Sequence, residues 1–261
     1  MKRTLQLSLA AAILLVILLL LMLTGRKADD ARRQTACTAL EVKILDTARL
    51  GFVSAEDVKA ILDKEYGVFI GQRLDSVDLS RIETILNGRS AIRQSEAYVT
   101  QDGVLHVEVA QRDPLVRFKT PQGGFYADAT GYLFPLASKY TSPVTVIEGE
   151  TPISADNAFK GLPKTQAERD WLAGIIQLLG YIDGNKAWNG AFRSIRTDKK
   201  GEIVLQPVTG REHFLFGLPE DIPGKFARME NYYKYIAPSK EEGYYGSVNV
   251  KYSGQIICRK K

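Results

Sequence analysis

The sequence predicts an α+β protein: a single membrane-spanning helix followed by two folded parts. Three observations carry this. Residues 5–23 are an unbroken apolar run, residues 37–113 read strand, helix, helix, strand, strand, and residues 114–261 mix short strands and tight turns with two helical periods. Amphipathic periods of 3.6 and 2 are the primary signals behind the last two statements.

The run 5–23 contains no charge, Gly or Pro, and only Gln6 and Ser8 carry polar side chains. As a helix it is about 28 Å long, close to the roughly 30 Å hydrocarbon core of a bilayer. Thr24-Gly25-Arg26-Lys27 follows, without the small-residue cleavage pattern of a secretory signal. An uncleaved anchor is therefore expected, with residues 1–4 as a short tail and 24–36 as a charged linker. Lys2 and Arg3 lie on one side of it, and Arg26, Lys27, Arg32 and Arg33 on the other, so the positive-inside rule leaves the orientation open.

The first folded part begins with alternation at Leu40, Val42 and Ile44 against Glu41 and Lys43, the pattern of a half-buried strand. Ser54 with Asp57 opens a helix whose apolar side carries Val58, Ile61 and Leu62. Asp78 caps a second helix bearing Leu79, Ile82, Ile85 and Leu86, and Asn87-Gly88 closes it. A strand over 92–100 turns at Gln101-Asp102-Gly103 into a return strand over 104–112. Asp113-Pro114 ends the part, because Pro cannot donate to a ladder.

In the second part, helices are expected over 166–179 (Trp171, Leu172, Ile175, Ile176, Leu179) and over 222–236 (Phe226, Met229, Tyr233, Ile236). Short strands are expected over 115–119, 125–128, 132–135, 144–147, 189–197, 202–206 and 212–216. The last strand is expected to run unbroken over 247–258, with Val248, Val250, Tyr252, Ile256 and Cys258 on one face and Asn249, Lys251, Ser253 and Gln255 on the other. At about 3.3 Å per residue it would span roughly 36 Å. It is either an inner strand paired on both sides, or an edge whose unpaired N–H and C=O groups invite an added strand.

Net charge is +5, with basic clusters beside the apolar run and at Arg259-Lys260-Lys261. No basic stripe with interleaved aromatics points to nucleic acid. Cys37 and Cys258 are expected as free thiols, each on a strand, and neither they nor His106 and His213 have zinc spacing. No HExxH, GxSxG, SxxK, phosphate loop or dinucleotide fingerprint occurs. The acid pairs Asp29-Asp30, Glu220-Asp221 and Glu241-Glu242 sit in linker or turn positions. Neither a catalytic site, a metal nor a cofactor is expected.

Four phrases carry a family resemblance. They are Gly71-Gln72-Arg73-Leu74 with Val77-Asp78-Leu79, then 109–115 (Val-Ala-Gln-Arg-Asp-Pro-Leu), 126–131 (Tyr-Ala-Asp-Ala-Thr-Gly) and 248–254 (Val-Asn-Val-Lys-Tyr-Ser-Gly). The first part resembles a POTRA domain, and the chain as a whole resembles the FtsQ/DivIB family of single-pass cell-division proteins, in a distant branch. The resemblance implies a non-enzymatic divisome scaffold in the cytoplasmic membrane at the septum, with its N-terminus inside and its bulk periplasmic. It implies FtsB-like and FtsL-like partners near the last strand, with Tyr252, Ser253 and Gly254 as matched positions and Lys251, Gln255 and Ile256 beside them. It extends to FtsW/FtsI-type cell-wall synthases, and to a DNA translocase at the edge formed by residues 92–100. A membrane-anchored envelope enzyme acting on peptidoglycan, and a POTRA component of a secretion or barrel-assembly system, are the alternatives.

Overall fold

The computed structural model describes residues 13–17, 35–156, 158–241 and 243–260. The expected anchor and linker lie outside the described residues, apart from 13–17, which are helical, and 35–36. Among the described residues no helix is long and apolar enough to cross a membrane. The chain divides between Gln111 and Arg112 into two units.

The first unit is mixed α+β, with order β1 (Ala39–Ile44), α1 (Ala55–Glu65), α2 (Leu79–Asn87), β2 (Ile92–Val99) and β3 (Val104–Gln111). Its sheet order is β1-β3-β2, with β1 parallel and β2 antiparallel to β3. Leu105, Val107 and Val109 alternate inward from the central strand onto Val58 and Leu62 of α1 and Ile82 and Leu86 of α2. Helix α1 starts at a reciprocal capping box between Ser54 and Asp57, and the Asp78 carboxylate accepts the Arg81 N–H at the start of α2. Gly88 ends α2 in right-handed geometry (φ −66°), so the left-handed exit that Asn87-Gly88 suggests is not used. Gln111 is buried and fastens the loop before α1: its Nε2 donates to Leu50 O (3.0 Å), and its Oε1 accepts from Val53 N–H (2.9 Å).

The second unit holds a nine-stranded sheet ordered β12-β11-β10-β9-β8-β7-β4-β5-β6. The strands are β4 (Pro114–Thr120), β5 (Gly123–Asp128), β6 (Leu133–Pro135), β7 (Thr145–Gly149), β8 (Phe192–Thr197), β9 (Ile203–Pro207), β10 (His213–Gly217), β11 (Tyr245–Asn249) and β12 (Ile257–Lys260). Two parallel pairs, β7 with β8 and β10 with β11, are bridged by α3 (Gln166–Gly184) and α4 (Ile222–Asn231). Such crossovers lay a helix on the sheet. Both helices share one core: Trp171, Leu172, Ile175 and Phe226 pack with Phe118, Ile195, Phe214, Val248 and Val250. Helix α3 runs a turn beyond the expected 179 because Ile182 continues its buried face. After α4 the chain forms a π turn (Tyr232–Ile236) and a short 3₁₀ turn (Ala237–Ser239).

Two of the sequence phrases meet inside this unit. Arg112 donates to Asp128 Oδ2 (2.7 Å) and stacks over the Tyr132 ring at 3.7 Å. The other Asp128 oxygen accepts Thr130 N–H, Thr130 O–H and Tyr132 N–H. Arg112, Asp128, Thr130 and Tyr132 thus form one nearly buried, bonded corner, a structural role; removing one partner of such a pair costs about 3–5 kcal/mol.

The expected 12-residue final strand is a hairpin. β11 stops at Asn249, and β12 returns antiparallel to it, placing Cys258 opposite Val248 and Ile257 opposite Asn249. The strand breaks for local reasons. Asn249 Oδ1 accepts the Lys251 N–H (3.0 Å), an Asx-type bond that competes with ladder pairing. Ser253-Gly254 then turns the chain, with Gly254 at φ +74° where a side chain would be strained. Tyr252 is therefore on the turn and 54% exposed, and Arg259 and Lys260 belong to a strand instead of a solvated tail. Both cysteines are free, but Cys37 precedes β1 instead of lying on a strand, and Cys258 is only half-buried.

Candidate functional site

The ends of the two sheets differ in how their backbone groups are satisfied. In the first unit, among the described residues β2 pairs only with β3. Two of its N–H groups are nevertheless taken: Ser95 donates to Asn87 Oδ1 (2.8 Å), and Ala97 to Glu83 Oε1 (2.9 Å). Both acceptors come from α2, one turn apart, so a single helix face blunts the edge. The edge expected over residues 92–100 is therefore not free through its middle.

At one end of the larger sheet, β6 is three residues long, contains Pro135, and exchanges backbone hydrogen bonds with Gly161 through Leu133 (2.8 and 3.0 Å). At the other end is β12. Among the described residues no strand pairs with its outer side. Four residues at about 3.3 Å each give an edge of about 13 Å.

The hairpin is braced from within. Val250 is buried, its N–H donates to Leu215 O (3.1 Å), and its carbonyl accepts Arg228 Nε (2.8 Å). Arg228 is in turn bonded to Asp221 (2.9 Å), which precedes α4 in left-handed geometry at φ 47°, a strained conformation for a non-glycine residue. This brace fixes where the turn leaves the sheet.

The six candidate residues are contiguous on this turn, but they do not present one face. Lys251 points inward: it forms an ion pair with Glu202, and its stem lies against Gly217. Tyr252, Ser253, Gly254 and Gln255 are exposed at the tip, and Ile256 packs back against the core. Cys258 packs there too, and burial pushes its thiol pKa up, so it acts as a small apolar side chain.

Residues that sequence reasoning passed over are Ile257–Lys260 as a separate edge, Arg228 as its brace, and Glu212, a carboxylate buried among tyrosines. The Ser-Gly dipeptide at 253–254 is a turn signal that would have exposed the hairpin. His106 is half-buried between Glu41 (3.3 Å) and Thr100 (3.2 Å) and stacked on Tyr98, and His213 is exposed. Asp198 accepts the N–H groups of Lys200 and Glu202 (2.9 Å each), closing the turn that precedes β9.

Comparison with known families gives two matches. The family model described as FtsQ/DivIB, C-terminal related, matches residues 113–259, just over half of the chain. A POTRA-like domain model matches residues 35–110. No curated protein matches the chain.

Proposed function

Because this chain belongs to the family of FtsQ/DivIB C-terminal related proteins, we propose that it works as a bitopic scaffold of cell division that captures its partners by strand addition at β12. The family is generally one of non-enzymatic scaffolds whose partners are division proteins. The single observation that supports strand addition is the edge itself: among the described residues no strand pairs with the outer side of β12, whereas β2 and β6 are blunted. Backbone hydrogen bonds along Ile257–Lys260 supply affinity, and the neighbouring turn supplies selectivity. Tyr252, Ser253, Gly254 and Gln255 are the contact residues of that turn, Ile256 anchors its return, and Lys251 holds it from within.

On this proposal the apolar run 5–23 anchors the chain in the cytoplasmic membrane, with the N-terminus inside and both units on the periplasmic side at the septum. The partners are FtsB-like and FtsL-like bitopic proteins, with FtsW/FtsI-type synthases in the wider assembly. A DNA-translocase contact at β2 could not use the N–H groups of Ser95 and Ala97, which are already bonded.

Affinity capture of the full-length chain from detergent-solubilised membranes tests the proposal. Small bitopic coiled-coil proteins and cell-wall synthases should be recovered with the native chain and lost with Cys258→Pro. Recovery unchanged by that substitution, or hydrolysis of peptidoglycan by the isolated chain, would overturn it.

A further inference from the structure

Beside the proposed docking edge lies a cavity of about 360 Å³ that the strand-addition reading does not use. Four of its lining residues are tyrosines from two places, and Lys240 and Glu241 also line it. Tyr232 and Tyr233 come from the π turn after α4, and Tyr244 and Tyr245 lead into β11. Inserted π turns of this kind recur at functional sites. Glu212, immediately before β10, forms part of the same lining and is only 5% exposed.

The carboxylate of Glu212 has an unusual set of partners. Its Oε2 accepts the Arg211 backbone N–H (2.9 Å), and the Tyr233 side chain hydrogen-bonds to it. Among the described residues no Lys, Arg or His forms an ion pair with it. The backbone makes room for it at Gly210, which has φ +98° and where an added Cβ would fall 2.6 Å from Oε2. A buried carboxylate normally requires a counter-charge, because hydrogen bonds from neutral groups recover only part of its lost hydration. Burial, and then the negative charge of Glu212, pushes Tyr232 up to about 12 and Tyr233 well above the ordinary tyrosine value.

Tyrosine ring faces and a carboxylate attract the same kind of guest, a cation. The mouth already shows the preference: the ammonium groups of Lys240 and Lys260 lie 5.4 and 4.9 Å from the Tyr244 ring centroid. Lys240 is also part of the cavity lining, but among the described residues neither ammonium forms an ion pair with Glu212. Lys260 also places the cavity beside the edge: it pairs with Tyr245 across the hairpin, and it is the last described residue of β12.

We propose that this cavity receives a basic side chain, lysine or arginine, from the segment that docks on β12, with Glu212 as its counter-charge and the tyrosines as its walls. The occupant is argued from charge complementarity to an unpaired buried acid and from continuity with the edge. The docking role of the cavity rests on the strand-addition proposal; its cation chemistry does not.

The experiment has two arms. In the first, n-butylammonium is titrated into the full-length chain in nonionic detergent and followed by saturation-transfer NMR, with n-butanol as the uncharged control. Saturable binding is expected for the ammonium only, weakened about tenfold or more in Glu212→Gln, which keeps an acceptor for Arg211 N–H. Tyr244→Leu, at the mouth, is expected to weaken it without unfolding the chain. Equal binding of the two probes, or equal binding by Glu212→Gln, overturns the proposed cation site whatever happens at β12. In the second arm, capture of partners is compared between the native chain, Glu212→Gln and Cys258→Pro. Loss in both variants supports the docking role. Loss in Cys258→Pro alone leaves strand addition standing and removes the basic anchor from it. Retention in Cys258→Pro sinks strand addition, and with it the docking role, while the ammonium titration still decides the site.

Discussion

Strand β2 of the first sheet and strand β12 of the second each pair on one side only, yet their outer sides differ. Along β2, Asn87 and Glu83 of the neighbouring helix accept the N–H groups of Ser95 and Ala97. Along β12 no such helix is present, and the outer side is unpaired among the described residues. What differs is local. A β2 that directly follows α2 can be capped by that helix's last two turns, whereas β12 follows a hairpin turn and has only β11 behind it. Open edges invite unwanted pairing, and charged residues are a usual way of limiting it. Arg259 and Lys260 on β12 serve that purpose, while leaving its backbone available to a chosen segment.

The most severe way to break the contrast is Cys258→Pro, which removes a backbone donor from a four-residue strand. Capture of FtsB-like and FtsL-like partners should fall by about 100-fold or more, the equivalent of about two lost backbone hydrogen bonds with full exposure of the edge. Unfolding of the first unit, followed by hydrogen exchange at β3, should not change. The converse experiment is to uncap β2. Glu83→Ala combined with Asn87→Ala leaves two N–H groups of nearly buried residues without acceptors, and should cost about 2 kcal/mol in urea unfolding. It should also raise self-association in sedimentation velocity; a double variant that stays native in both measurements would mean that β2 is protected by something other than these caps.

Smaller effects separate the turn's tip from its base. Tyr252→Glu places a charge at a 54% exposed position, so stability should be unaffected while partner capture weakens by about tenfold. Lys251→Met removes an ion pair with a partly exposed Glu202 but retains the stem against Gly217. Stability should move by less than about 0.5 kcal/mol, and capture by less than about threefold. A larger effect from Lys251 than from Tyr252, read by titrating both variants against the same captured partner, would reverse their assignment as support and contact.

Much of the fold was legible because its signals are local. Ser54 with Asp57, Asp78 before α2, and Gln101-Asp102-Gly103 between β2 and β3 each act within four residues. The phrases at 111–114 and 126–131 were legible as a resemblance, but their meaning was not: only folding brings Arg112 onto Asp128 and Tyr132. The last strand misled because Val248, Val250 and Tyr252 alternate as one strand would, while the break depends on a side chain. Asn249 bonds the backbone two residues on, and a hydrophobic pattern does not register that. Glu212 read only as the first residue of the strand expected over 212–216, since the tyrosines around it enter some 20 and 30 residues later in the chain.

The sequence by itself determined the α+β class, the caps, most of the strands and the two helices of the larger sheet, because each rests on a hydrophobic period or a turn residue that needs no distant partner. The tertiary structure decided which edges are covered. Capping of β2, the bridge across β6 and the openness of β12 all depend on what packs beside a strand, and hydrogen-bond satisfaction at an edge is a property of neighbours in space. The same holds for Glu212: whether a carboxylate is solvated or buried beside tyrosines is settled only when the chain closes around it.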